Sequence, residues 1–229
     1  MSQTSRKLTE SLTTFGITAM EKLAENLWFH DHMARFDDGR KLPLRLTVAK
    51  LQDGKLWLHA PTPLSDELKE SLAELGTVGY LFCGNNLHNM WLLEWVDAYP
   101  DAEVWITPGI PQKLPELENY RVFQENPWTD DFDTVSMQGV PLFDETAFLH
   151  RSSQSLIVTD MVQNHIRNGV YIAPPLLKEG TIKDQDAFKD YVSQISAWDF
   201  QRIVITHGAN IEKSAKEEFL RICEPFGDQ

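Results

Sequence analysis

"VGYLFCGNNLHNMWLLEW", Val78 to Trp95, runs from an apolar stretch through a small polar cluster into a helical pattern. Its first six residues form a short apolar and aromatic run of the kind that makes a buried strand. Trp91 and Trp95 stand four apart, on one face of a following helix that Pro100 ends. Between strand and helix, Gly84, Asn85, Asn86 and His88 gather neutral polar groups and one imidazole. Sheet proteins with helical layers commonly hold ligands at such carboxyl ends of strands.

The same junction recurs twice further along. "SLIVTD" ends at Asp160 and "RIVITHG" runs into His207. A strand fixes the direction in which the residue at its end projects, and a metal or substrate site needs that. Histidine and aspartate also supply the nitrogen and oxygen ligands that Zn²⁺ and Fe²⁺ take. Each residue has a structural alternative. Asp160 can cap a helical turn, His88 or Asn89 can cap the helix through Trp95, and His207 can bond within a turn.

The rest of the chain organises around these junctions. Residues 1–25 have helix-forming composition and are expected as an N-terminal helix or arm, with a single domain over 26–229. "LWFHDHMARF" (27–36) predicts a strand, and "LRLTVAKLQDGKLWLH" (44–59) predicts a hairpin turning at Asp53-Gly54. Ser65 is placed to cap a helix whose stripe is Leu64, Leu68, Leu72 and Leu75 and which stops at Gly76. Strands are expected at 102–107, 134–139, 145–150, 155–159 and 200–206, and helices at 184–198 and 211–223. A Pro-rich irregular stretch fills 108–127. Strand-rich halves that each carry helices imply two sheets flanked by helices.

Composition narrows the function. A net charge of −13 with no Lys/Arg-rich run argues against a nucleic-acid partner, whose phosphates need cations. No run of about 18 apolar residues is present, so no membrane span is expected. Two cysteines, Cys83 and Cys223, make no disulfide framework; with no signal-peptide pattern, a cytoplasmic location is the simplest expectation. Nucleotide-binding and serine-hydrolase glycine motifs are missing, and Cys83 with His88 lacks an orienting third group. His30 and His32 share a strand face and are expected as solvated residues. Trp105 and Trp128 flank the irregular stretch; lining a hydrophobic substrate pocket and simple burial are equally open to them.

Taken in order, "LTVAKLQDGKLWLHAP", the junction at His88, "LIVTD" and "VITHG" resemble the metallo-β-lactamase fold superfamily, specifically a branch with a degenerate metal-binding motif. The resemblance runs from about Asn26 to the C-terminus. It implies an α/β fold, a four-layer αββα sandwich with its site along one edge of the two sheets. An active member carries H-x-H-x-D-H after the strand that here ends at Cys83. This chain has Gly84-Asn85-Asn86-Leu87-His88-Asn89 instead. The resemblance puts His88 in the place of the last histidine of that motif and Asn85 or Asn86 in the place of an earlier one. It aligns Asp160 with the bridging aspartate and His207 with the final histidine. The remaining ligand histidine would precede the strand at 145–150, where Glu145 stands; His150 lies at that strand's other end.

Asparagine is a poor Zn²⁺ ligand beside imidazole, so a dinuclear centre is not expected. The resemblance implies one zinc or iron ion held by His88, Asp160 and His207, with Glu145 or His150 assisting. On that reading the protein hydrolyses an ester, thioester or lactone. Asp160 and His88 work at the reaction centre, Asn85 and Asn86 bind the substrate's polar groups, and Trp105 and Trp128 hold its acyl part. The alternative is a metal-free descendant that binds a small molecule or a protein partner, with Asp160 paired to His207 or His150.

Overall fold

The computed structural model describes residues 19–165 and 168–226. Thirteen strands are found there, and eleven of them form two sheets. The first sheet takes seven strands in chain order: β1 (Glu21–Ala24), β2 (Leu27–Arg35), β3 (Lys41–Lys50), β4 (Leu56–His59), β5 (Val78–Cys83), β6 (Glu103–Ile106) and β7 (Tyr120–Val122). Neighbours are antiparallel up to β4 and parallel from β4 to β7. The second sheet holds β8 (Phe132–Ser136), β9 (Thr146–His150), β10 (Ser155–Val158) and β13 (Arg202–Ile205), in the order β13-β10-β9-β8. A separate hairpin, β11 (Val162–His165) with β12 (Gly169–Ile172), follows β10.

Alternation along the strands divides the interior into three apolar spaces. Leu56 and Leu58 of β4, with Leu81 and Cys83 of β5, face helices α1 (Asp66–Leu75) and α2 (Leu92–Ala98). Trp57 and Phe82, from between those residues, meet Phe148, Ile157 and Val204 of the second sheet. The outer face of that sheet, including Leu156 and Ile203, packs on α4 (Gln185–Ala197) and α5 (Ala215–Cys223). Helix, sheet, sheet, helix is the four-layer sandwich expected, and strands buried on both faces explain why β5, β10 and β13 are unbroken apolar runs.

Local signals act as the sequence predicts in several places. Ser65 Oγ accepts the Leu68 amide at 3.2 Å, capping α1, and Leu68 and Leu72 are buried beneath it. The hairpin between β3 and β4 forms, with a longer loop than expected. Lys50 pairs with Leu56, the Gly54 amide donates to Leu51 O, and Gly54 has a positive φ of 84° whereas Asp53 does not.

Other expectations are corrected. Residues 21–24 are strand and not helix, and residues 1–18 of the expected N-terminal helix or arm lie outside the described residues. His30 and His32 do share a face, but it is the covered one: they are 5% and 6% exposed, and His32 meets Trp91 edge-on. β2 is interior to the sheet and one face lies under the helical layer, so alternation alone misjudges which face is wet. The irregular stretch 108–127 contains a single helical turn, α3 (Ile110–Lys113), and β7.

Candidate metal centre

β10 and β13 are parallel neighbours in register, Val158 beside Ile205. Two residues beyond each, Asp160 and His207 therefore stand side by side. His88 reaches them from the other sheet, on the loop after β5. That loop is held by its own polar groups: Asn85 Oδ1 accepts the Leu87 amide at 2.6 Å, and the Cys83 thiol donates to His88 O at 3.3 Å. The Thr146 amide donates to Gly84 O at 2.9 Å, tying the first sheet to the start of β9.

Among the described residues, His88, Asp160 and His207 form one group able to hold a metal ion, and all three are buried. His207 Nε2 lies 3.0 Å from Asp160 Oδ1 and 3.1 Å from His88 Nε2. His88 Nε2 lies 3.2 Å from Asp160 Oδ2, yet that buried oxygen has no hydrogen-bond partner. The other nitrogen of His207, Nδ1, is 2.8 Å from Pro43 O. A carbonyl only accepts, so Nδ1 carries the proton, and in a neutral ring Nε2 is a bare lone pair. Nε2 and Oδ1 are then two acceptors in contact, and a positive charge must lie between them.

A second proton on His207 meets that need, and so does a cation. Tetrahedral coordination at a Zn–N distance of about 2.0–2.1 Å sets ligand atoms roughly 3.3 Å apart, close to the separations found here. The orphaned Oδ2 and the backbone-anchored imidazole fit a metal, since ligating histidines regularly donate their other N–H to a carbonyl. Electrostatics agree in direction. Burial alone would raise the Asp160 pKa, but the nearby charge of His88 and the hydrogen bond and charge of His207 outweigh it and hold the carboxyl well below the usual range. Burial lowers His207, and Asp160 more than reverses this, so its pKa is raised.

Around the triad lie supports that sequence reading missed. Gly208, at φ 116°, packs so tightly on Asn164 O that a Cβ would sit 1.8 Å from it. Asn164 also receives and gives backbone hydrogen bonds with His207 and Ala209. Buried Arg45 pairs with Asp31 and donates to Ile205 O at 2.8 Å, pinning the end of β13 to the first sheet. Only the His-Gly dipeptide carried a local signal; a carbonyl such as Pro43 O has none.

The other expected site residues stand elsewhere. Glu145 is fully buried and faces the backbone of the Asp160 turn, not the metal group. Burial, first, and the Asp160 charge push its pKa up to about 7 against three backbone N–H bonds. His150 is at the opposite end of β9, bonded to Ser153 Oγ at 2.7 Å. Asn85 and Asn86 serve the loop rather than a substrate: Asn86 Nδ2 donates to Pro141 O and its Oδ1 accepts from Thr107. Trp128 is buried in the core between the sheets, and the partly buried Trp105 packs edge-on against it at 5.3 Å. A cavity of about 940 Å³ is lined by Phe29, Met33, Pro43, Leu44, Thr206 and Gly208 among others, but by none of the three triad residues.

The family model described as a domain of unknown function, DUF4336, matches residues 25–173. The chain belongs to the DUF4336 family. That match takes in His88 and Asp160, while His207 lies beyond it. No curated protein matches the chain. Among solved structures, the DUF4336 chain is similar to a metallo-β-lactamase from Hirschia baltica at 12% identity and a TM-score of 0.66, covering 93% of this chain and 100% of that one. A metallo-β-lactamase from Erythrobacter litoralis matches at 15% identity and a TM-score of 0.64, covering 97% and 100%. One from Pseudomonas aeruginosa, in its mono-zinc form, matches at 11% identity and a TM-score of 0.61, covering 94% and 96%. The DUF4336 chain therefore has the metallo-β-lactamase fold.

Proposed function

We propose that the protein is a mononuclear metal-dependent hydrolase acting on an ester, thioester or lactone. One observation carries this reading: two imidazole nitrogens and a carboxylate converge within 3.2 Å, with His207 Nδ1 already committed to Pro43 O. His88, Asp160 and His207 would hold the ion, and three protein ligands leave the open position that a catalytic metal uses. Such an ion supplies a Lewis acid and a bound water whose pKa falls toward about 7. Asp160 would keep its second oxygen for the ion or for orienting that water. The cavity flanked by Thr206 and Gly208 combines apolar Phe29, Met33 and Leu44 with charged and polar Asp31, Lys41, Arg45 and Asn164, which suits an acyl group with a polar tail.

A second reading rests on the direct contact of His207 with Asp160. A doubly protonated His207 closes the centre as a buried ion pair, and the protein is then a metal-free ligand-binding descendant of hydrolases. Metal analysis of protein purified without a histidine tag separates the two. Stoichiometric zinc, iron or manganese that is lost in both Asp160→Ala and His207→Ala is the expected result, followed by turnover of an ester, thioester or lactone. Metal-free wild-type protein that gains no stability from added metal overturns the hydrolase reading.

A further inference from the structure

The sequence resemblance puts Glu145 near the place of a ligand, yet its carboxylate is engaged by the chain itself. Oε1 accepts the Thr159 amide at 2.9 Å. Oε2 accepts the amides of Asp160 at 2.7 Å and Met161 at 2.9 Å, and the Asn85 side-chain amide at 3.3 Å. Four donors thus converge on the carboxylate, three of them on Oε2. Three successive backbone N–H groups turned toward one anion form a nest, the concavity that elsewhere binds free anions. Here the anion is part of the chain.

The topology explains its reach. β9 runs antiparallel to β10, so the residue preceding Thr146 lies at the end of the sheet where β10 stops and Asp160 begins. The Thr146 amide is bonded to Gly84 O, so the same residue also lies beside the loop bearing His88. One carboxylate thus touches both segments that deliver ligands from different sheets: the Asp160 turn through three amides, and the His88 loop through Asn85.

We infer that Glu145 is the positioning residue of the centre, holding the Asp160 turn and the His88 loop at the spacing a single metal ion requires. It does so as a filled internal anion site and not as a ligand. The reading of His88, Asp160 and His207 as ligands underlies the metal-binding half of the test; the backbone half is independent of it.

Glu145→Gln is the informative change. It keeps shape but swaps one oxygen for an NH₂, and whichever way the amide is turned a donor then faces a backbone N–H. Co²⁺ serves as a probe, its visible spectrum reporting ligand geometry, and amide hydrogen exchange reports the turn in the metal-free protein. Expected are a ten- to hundredfold weaker Co²⁺ affinity, about the effect of losing a residue that orients ligands, with altered visible bands. The Asp160 and Met161 amides should exchange at least about tenfold faster, while those of Leu156 and Ile157 in β10 stay protected. Unchanged exchange at Asp160 and Met161, or accelerated exchange with wild-type Co²⁺ affinity, overturns the inference. Wild-type protein that ignores Co²⁺ while the variant's turn loosens refutes the metal reading and leaves Glu145 as the holder of the Asp160 turn. Should the variant not fold, exchange in the wild type decides: the Thr159, Asp160 and Met161 amides must be as protected as those of β10, and rapid exchange there overturns the inference.

Discussion

His59 and His150 are buried without a charged partner, and burial lowers their pKa values from 6.5 to about 3 and about 4. For His59 the charge of His88 adds to the effect. Both rings fold neutral, whereas in the unfolded chain they take up a proton below about pH 6.5. Between pH 6.5 and 4 the unfolded state binds more protons, so stability rises with pH across that window and is lost as pH falls through it. Denaturant melts should show this decline in the wild type, and His150→Asn should flatten it by roughly 3 kcal/mol, the size of a shift of about 2.5 pKa units. An unchanged slope would mean that His150 titrates as if exposed. Gly208 is a second residue-scale constraint. Its positive φ and the Asn164 carbonyl leave no space for a methyl group, so Gly208→Ala is expected to cost about 2–3 kcal/mol and to weaken metal binding by displacing His207. A thermal melt matching the wild type would contradict that.

At the scale of elements, the strand ends determine what can meet. β5, β10 and β13 all finish at one rim, which is why His88, Asp160 and His207 converge although 119 positions separate the first from the last. β9 runs the opposite way, so Glu145 at its start reaches that rim and His150 at its end is carried away to Ser155. The loop after β5 is ordered by side chains before α2 begins. Asn86 bonds to Pro141 O, its carbonyl accepts from Lys113 at 2.7 Å, and α2 starts at Leu92 with no side-chain cap. Of the expected caps, Asn89 donates to Asn86 O within the loop, and the His88 ring turns to Asp160 and His207. Helix α1 by contrast follows local rules, so Ser65→Ala should lower stability by about 1 kcal/mol without touching metal binding. Loss of metal in that variant would show that α1 and the centre are coupled.

For the whole molecule, the centre joins two sheets, so a ligand bound there stabilises the sandwich as a unit. Zn²⁺ in hundredfold excess over its Kd adds about 2.7 kcal/mol, or roughly 5–10 °C in Tm for a domain of this size. The shift should vanish with a chelator and in His207→Ala; an equal shift in that variant would place the metal elsewhere. No helix among the described residues is long and apolar enough to cross a membrane.

The sequence alone determined the layers and the rim. The short apolar runs "LWLH", "VGYLFC" and "LIVT" and the helical stripe through Leu68 and Leu72 are local chemistry, and a polar residue at a strand's end is visible wherever the apolar run stops. Tertiary structure decided the rest: that His30 and His32 lie under the helices, that Trp128 is buried between the sheets with Trp105 packed against it, and that Glu145 holds a turn instead of a metal. Each of those outcomes depends on which surface another segment covers. Such coverage comes from contacts between residues far apart in the chain, and no window of sequence contains both partners.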